Sequence, residues 1–269
     1  MTKRLMINWL IILEYKKVII NAMLSELNLF VSFLFALFVV FSFMISCISF
    51  PVSIDKKRSN FAFCKLPTRQ SPILLSESKQ VEDKSILLRY SPVHEIVENK
   101  GHTIEVAFKE DNQVIYDNRV YKLLQFHFHT PAEHSYKENK YPMEIHLVHQ
   151  SDDGFYLVIA IFFKEGNESS LLNLVLQDLN SQKLQKNTLL DLGKEFNSFA
   201  KFFHYSGSLT TSPYTEGVEW FISESIQTAS LSQIKKIHNL EGYNARKLQN
   251  DNKRVVSVVN GSYLLNKKE

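Results

Sequence analysis

Three histidines set out the chemistry available to this chain. His127 and His129 stand in the run Leu124-Gln-Phe-His-Phe-His129, and His146 stands in Met143-Glu-Ile-His-Leu-Val-His149. Side chains alternate faces along a β-strand. Gln125, His127 and His129 therefore share one face, with Leu124, Phe126 and Phe128 on the other. In the second run Glu144, His146 and Val148 share a face, and Ile145, Leu147 and His149 take the opposite one. Pairing the two strands lets three imidazoles converge. Three neutral imidazoles with the fourth position open make a catalytic Zn2+ site, whereas structural zinc sites fill all four positions with protein ligands. The orienting groups are also legible, because a metal-bound imidazole passes its other N–H to a carboxylate, amide or carbonyl. Gln125 lies two residues before His127 and Glu144 two before His146, each on the face of its histidine. One H-x-H would be ordinary on a solvated strand. Three histidines and two such orienters within apolar-patterned strands point to a metal centre.

The elements that must position these residues read as strands. Ile104–Phe108, Val114–Tyr116, Tyr121–His129, Met143–His149 and Phe155–Phe163 are rich in β-branched and aromatic residues, and turn-type residues separate them. Asp152-Asp-Gly154 marks a tight hairpin between the last two. Helical patterns are sparse. Glu168–Leu179 and Leu231–Leu240 are the candidates, the latter opened by Ser230 or Ser232 as a cap. Neighbouring strands with short turns imply antiparallel pairing. The expected fold is mainly β, a β-dominated α+β class. It has a large twisted, mostly antiparallel central sheet with short peripheral helices.

Composition agrees with one sizeable domain and an N-terminal extra. The 269 residues are 45% hydrophobic and 22% charged, with a net charge of +3. Interspersed lysines and acids give no basic stripe, so nucleic acid is excluded as a partner. No P-loop, dinucleotide fingerprint or fixed-period repeat is present. From Leu27 to Ile54 there is no charged residue, and Lys3, Arg4, Lys16 and Lys17 lie upstream. Residues 1–54 are accordingly expected to be a secretory signal or membrane anchor, with membrane association through residues 27–54. Met44-Ile-Ser-Cys47 loosely resembles a lipobox with Cys47 as the lipidated residue. The catalytic domain is expected over 55–269, exported to the periplasm or the cell exterior. Lys56, Lys57 and Arg58 directly after the apolar run oppose translocation.

At this point the residues resemble a family. Gln125-Phe-His-Phe-His-Thr-Pro-Ala-Glu-His134 and Tyr141-Pro-Met-Glu-Ile-His-Leu-Val-His149 are similar to blocks of the α-class carbonic anhydrases, in their bacterial form. So are Arg69-Gln-Ser-Pro-Ile73, Asn99-Lys-Gly-His-Thr-Ile104, Ser206-Gly-Ser-Leu-Thr-Thr-Ser-Pro213, Glu216-Gly-Val-Glu-Trp220 and Asn244-Ala-Arg246, all in family order. The resemblance implies reversible hydration of carbon dioxide to bicarbonate and a proton, by attack of zinc-bound hydroxide. It implies His127, His129 and His146 as ligands and His102 as the histidine that shuttles the proton to buffer. Thr210 would accept a hydrogen bond from the nucleophile and donate its own to Glu133. Thr211 would stand at the substrate mouth, with Val148, Val158, Leu209 and Trp220 as the apolar CO2 pocket. Gln125, Glu144 and His134 would support the ligands from behind. Sulfonamides and anions would inhibit at the zinc, and the resemblance leaves room for a homodimer.

The chain also departs from the family. The segment Ser53–Phe63 is short and lysine-rich where members carry Trp and Tyr. Cys64 matches one half of a disulfide common in exported bacterial members, but Tyr214 occupies the other half, so no disulfide is expected within the domain. Lys247 replaces a usual Pro after Asn-x-Arg, and Ser212 replaces another. His94, His149, His204 and His238 are read as structural or surface residues. Two other classes fit parts of the pattern. His127-x-His129-x3-Glu133 matches the first half of a cupin motif, with Glu133 as a ligand, but lacks the flanking glycines. A weak or inactive binding protein on the anhydrase scaffold is the other, and the intact histidines, Thr210 and Glu133 argue against it.

Overall fold

Met143–Gln150 is buried along almost its whole length, the signature of a strand covered on both faces. Its alternation feeds two separate cores. In a computed structural model, which describes residues 68–264 apart from 76–78, 110–111, 181–187 and 197–199, Ile145 and Leu147 join Phe126, Phe128, Leu157, Ile159 and Ile161 in the larger core. Val148 turns the other way, onto Val158, Ala160, Phe162, Val218 and Trp220. Each of these strands thus holds the sheet between two apolar layers, which fixes its register because a one-residue slip would exchange every side chain between them.

Met143–Gln150 is flanked by Arg119–His129 on one side and Tyr156–Glu165 on the other, antiparallel to both. Beyond Tyr156–Glu165 the sheet continues through Glu216–Ser223, Lys201–Ser208, Ser257–Tyr263 and Lys79–Arg89. Beyond Arg119–His129 lie the short strands Gln113–Tyr116 and Ile104–Ala107, the latter paired with Val97–Asn99. Most pairings are antiparallel. Within this sheet the parallel ones join Tyr156–Glu165 to Glu216–Ser223 and to Gln227–Ala229, and Ser257–Tyr263 to Lys79–Arg89, and a separate parallel pair joins Leu74–Leu75 to Ser135–Tyr136. The expected β-dominated sheet is therefore present, with parallel pairs that local turn signals do not announce.

The helices are short and peripheral. The expected helix at 168–179 runs Ser170–Asn180, with Ser169 Oγ accepting from Leu172 N at 3.3 Å. The second runs Leu231–Glu241, and Ser230 rather than Ser232 is its cap, in a reciprocal box with Gln233. It stops at Gly242, whose φ of 71° suits a residue without Cβ. The Asp152-Asp-Gly154 hairpin forms with Gly154 at φ 88°, and the following strand begins at Tyr156 rather than Phe155. Phe155 lies under the Arg119 guanidinium, 4.2 Å from its ring centre.

Strict alternation fails at one place that matters. The pairing between Arg119–His129 and Met143–Gln150 shifts between Leu123 and Gln125. Leu123 sits opposite His149 and Gln125 opposite Val148, so Leu124 is an extra residue in a β-bulge. The sequence pattern puts Leu124 with Phe126 on the core face. The bulge turns it out instead, so that it lines the cleft beside Gln125. The N-terminal segment expected at 1–54, Cys47 and Cys64 lie outside the described residues. Among the described residues no helix is long and apolar enough to cross a membrane.

Candidate metal centre and cleft

The pairing sets His127 directly opposite His146 and His129 opposite Glu144. The three imidazoles close on one another, with ring centres 4.5–5.2 Å apart, and one nitrogen of each lies within 4.8 Å of the other two. Hydrogen bonds on the far side of each ring decide which nitrogen faces inward. His127 Nδ1 meets Gln125 Oε1 at 2.9 Å, His129 Nδ1 meets the Asn244 carbonyl at 3.2 Å, and His146 Nε2 meets Glu144 Oε1 at 2.9 Å. Those oxygens only accept, so the ring nitrogens against them carry the hydrogens. Nε2 of His127, Nε2 of His129 and Nδ1 of His146 are left as inward lone pairs. Burial, reinforced by the neighbouring His146, pushes the His127 pKa down to about 3 and that of His129 well below its ordinary value, so neither competes for a proton at neutral pH.

This donor set fits zinc. His127 Nε2 and His129 Nε2 are 3.0 Å apart with no hydrogen to share between them. Two lone pairs at that separation repel unless a cation lies between. Nitrogens at ~2.0 Å from a tetrahedral zinc stand about 3.3 Å from each other. The arrangement is that of a three-histidine site with one position left open towards the cleft.

Behind the three histidines lies a fully buried acid. Glu144 Oε2 accepts from the backbone N–H groups of Glu133 and His134 at 2.8 and 2.9 Å. Its Oε1 accepts from His146 Nε2 and from His134 Nδ1 at 2.7 Å. Burial by itself would raise this carboxyl's pKa, but the two histidines and their hydrogen bonds outweigh it and hold the group well below the usual range. His134 Nε2 reaches the Tyr205 hydroxyl at 2.7 Å, and the Trp220 ring packs edge-on against both His134 and His146. Glu133 lies behind His129 rather than among the ligands. Its Oε1 accepts from Arg246 N at 2.7 Å and is 3.6 Å from His129 Nδ1, the nitrogen that faces away from the centre. That placement removes the cupin alternative, which needs Glu133 as a ligand.

A family model described as eukaryotic-type carbonic anhydrase matches residues 55–264. The chain belongs to that family. A carbonic anhydrase of Neisseria gonorrhoeae is 32% identical over 210 residues, which cover 77% of this chain and 83% of the relative. The solved alpha-carbonic anhydrase of Photobacterium profundum superposes with a TM-score of 0.66 at 34% identity, over 73% of this chain and 92% of its own. The alpha-carbonic anhydrase of Thermovibrio ammonificans, solved with the inhibitor sulfanilamide, gives a TM-score of 0.64 at 32% identity, over 72% and 88%. The chain is a carbonic anhydrase, and hydration of CO2 is the reaction its family supports.

The anhydrase cleft opens from the three histidines with a volume of about 380 Å³. Val148, Val158, Leu209 and Trp220 form one wall and Thr210 and Thr211 stand beside them, while His102 sits at the exposed mouth. The Thr211–Tyr214 turn, closed by Tyr214 N donating to Thr211 O at 2.8 Å, holds the threonines. The Tyr214 ring takes the Arg246 guanidinium at 3.7 Å, where the disulfide-bearing members have their second cysteine. Burial raises the Glu133 pKa, and His146, the Arg246 N–H and the facing Thr210 hydroxyl offset this only in part. Glu133 Oε2 nonetheless has no hydrogen bond of ordinary length and angle.

Of the histidines set aside in the sequence, His94 is exposed and the other three take structural places. His149 packs on the far face, between the Tyr90 hydroxyl at 2.8 Å and the Leu157 carbonyl at 3.3 Å. His204 pairs with Glu219 at 2.6 Å, and His238 reaches Thr130 Oγ1 at 3.1 Å.

Four further residues belong to the site. Leu124 and Tyr156 complete the apolar rim, and Glu105 lines the cleft. Asn244 ties the whole site together. Its carbonyl orients His129, its Oδ1 accepts from Thr130 N, and its Nδ2 donates to the carbonyls of Phe128 and His102. A hydrogen bond to a backbone carbonyl more than a hundred residues away leaves no local pattern to read.

Glu241 underlies this same corner. It is buried at the C-terminal end of its helix, where the helix dipole also opposes a negative charge. It accepts from Thr130 Oγ1 at 3.1 Å and from Ile104 N at 3.3 Å. Burial pushes its pKa up to about 8 from an ordinary 4.5. A carboxyl whose folded pKa is raised stabilises fully below the unfolded value and loses that contribution as pH rises through the folded one. Thermal unfolding across pH 5 to 8 should therefore show the native chain losing stability towards pH 8 and Glu241→Gln losing less. Parallel curves for the two would contradict the assignment.

Proposed function

We propose that the chain catalyses zinc-dependent, reversible hydration of carbon dioxide to bicarbonate and a proton, with His102 carrying the proton between cleft and buffer. The observation that carries this reading is the convergence of three inward lone pairs, each fixed by a hydrogen bond on the other ring nitrogen. His127, His129 and His146 would hold the zinc. A zinc ion so held supplies Lewis acidity that brings the pKa of bound water to roughly 7, a value known for carbonic anhydrases in general and not obtained from this chain.

The side chains account for the rest. Thr210 has one hydroxyl hydrogen. If Glu133 takes it, Thr210 Oγ1 must accept from the group in the cleft, which admits only a nucleophile that carries a hydrogen and turns its lone pair away from Thr210. The wall of Val148, Val158, Leu209 and Trp220 offers an uncharged, non-polar substrate a place where water gains nothing. His102 lies on a turn anchored from both sides. Lys100 N donates to Thr103 O at 2.9 Å, Gly101 N to Asn99 Oδ1 at 2.8 Å, and Asn244 Nδ2 to His102 O at 3.1 Å. Its imidazole is exposed at the cleft mouth, where it can pass a proton to buffer. Sulfonamides and inorganic anions are proposed to bind at the zinc that these three histidines would hold. The uncharged run Leu27–Ile54 supports an exported enzyme, held at a membrane or released from it.

The shuttle has its own test. His102→Ala should lower turnover on the order of 10- to 100-fold in weakly buffered solution, at or below the lower end for a positioned proton-transfer group. Added imidazole should restore it, and kcat/KM for CO2 should stay put, because the proton leaves after bicarbonate has formed. A turnover unaffected in weak buffer would remove His102 from the mechanism.

A further inference from the structure

Glu105 is the only acidic or basic side chain, histidines apart, among the residues that line the cleft. Its strand neighbour is His127, directly opposite in the pairing of Ile104–Ala107 with Arg119–His129. Paired residues on adjacent strands project to the same face, so this carboxylate stands on the side of a proposed ligand. Its other strand neighbour is Glu98, again directly opposite. Two like charges in that relation are unfavourable. Lys100 lies between them, hydrogen-bonded to Glu98 and 3.8 Å from Glu105 Oε1. The three charges leave the rim one unit negative. Glu105 faces inward with a quarter of its side chain exposed, against about half for Glu98.

The reaction proposed above, on which this inference rests, takes in a neutral molecule and releases an anion. A fixed negative charge beside the exit leaves CO2 alone and raises the energy of any anion in the cleft. We propose that Glu105, backed by Glu98 and restrained by Lys100, is a specificity-determining charge gate that weakens the binding of bicarbonate and other small anions.

The test uses the full chain loaded with cobalt(II), whose visible spectrum reports anion binding directly, titrated with thiocyanate. KM values for bicarbonate and CO2 would be measured on the zinc form. Glu105→Gln should tighten thiocyanate binding roughly three- to tenfold at low ionic strength and lower KM for bicarbonate by a similar factor, with KM for CO2 unmoved. Lys100→Gln should act in the opposite sense, and inert salt should shrink both effects. Glu105→Gln that binds thiocyanate no more tightly than the native chain would overturn the gate. A native chain that takes up no metal would overturn the underlying reading instead, and the two failures are distinguishable.

Discussion

Replacing His146 with alanine should remove zinc and CO2 hydration together. Only two imidazoles would remain at the centre, and the one lost is firmly fixed, with Nε2 tied to a buried carboxylate at 2.9 Å and the ring packed on Trp220. Activity should fall by on the order of 10³-fold or more, since moving the pKa of water from 15.7 to ~7 is what the metal contributes. Metal analysis and stopped-flow hydration on the same sample would check it. His149 provides the matched comparison three residues along the same strand. Its side chain occupies the opposite face, against Tyr90 and Leu157, so His149→Gln should lose stability and keep its zinc. Loss of zinc from the His149 variant alone would reverse the assignment of the two faces.

Glu144→Ala should damage both the metal centre and the fold. Four donors converge on this one carboxylate: two backbone N–H groups, His134 Nδ1 and His146 Nε2. Truncation leaves them buried and unpaired. Removing one side of a buried charged network costs about 3–5 kcal/mol, which for a domain of this size lowers the melting temperature on the order of 10 °C. Losing the group that orients a ligand also weakens metal affinity by roughly 10- to 100-fold. Calorimetry with and without zinc would separate the two effects. The account expects a lower melting temperature in both states and a smaller stabilisation by zinc. An unchanged zinc dependence would mean that Glu144 serves the fold alone.

The parts of this site readable in the sequence are those governed by strand alternation. Gln125, His127 and His129 on one strand, with Glu144, His146 and Val148 on the next, needed only a period of two and a pairing partner. His149 was placed on the far face by the same rule. The rule broke at Leu124, because a bulge is a property of two strands' register, and neither sequence records it alone. The contacts of Asn244, which stands in a family-like block, and of Glu241 could not be read in the sequence for a related reason. Both residues act through Thr130, Ile104 and backbone groups far away in the chain, and any residue could have supplied those backbone partners. The roles of Thr210, Glu133 and His102 came from family resemblance. The geometry adds the anchoring of His102 and the position of Glu133 behind His129. Parallel pairings such as Tyr156–Glu165 with Glu216–Ser223 connect distant segments, so local turns did not foretell them.

The central claim is that three neutral imidazoles hold one zinc and that this zinc is required for CO2 hydration. The most direct measurement is zinc content and stopped-flow hydration of the purified full chain, before and after dialysis against a chelator and again after zinc is restored. The account predicts one zinc per chain, rapid hydration, loss of both on chelation and recovery of both on reloading. A folded chain that takes up no zinc, or hydrates CO2 equally well without it, would contradict the account.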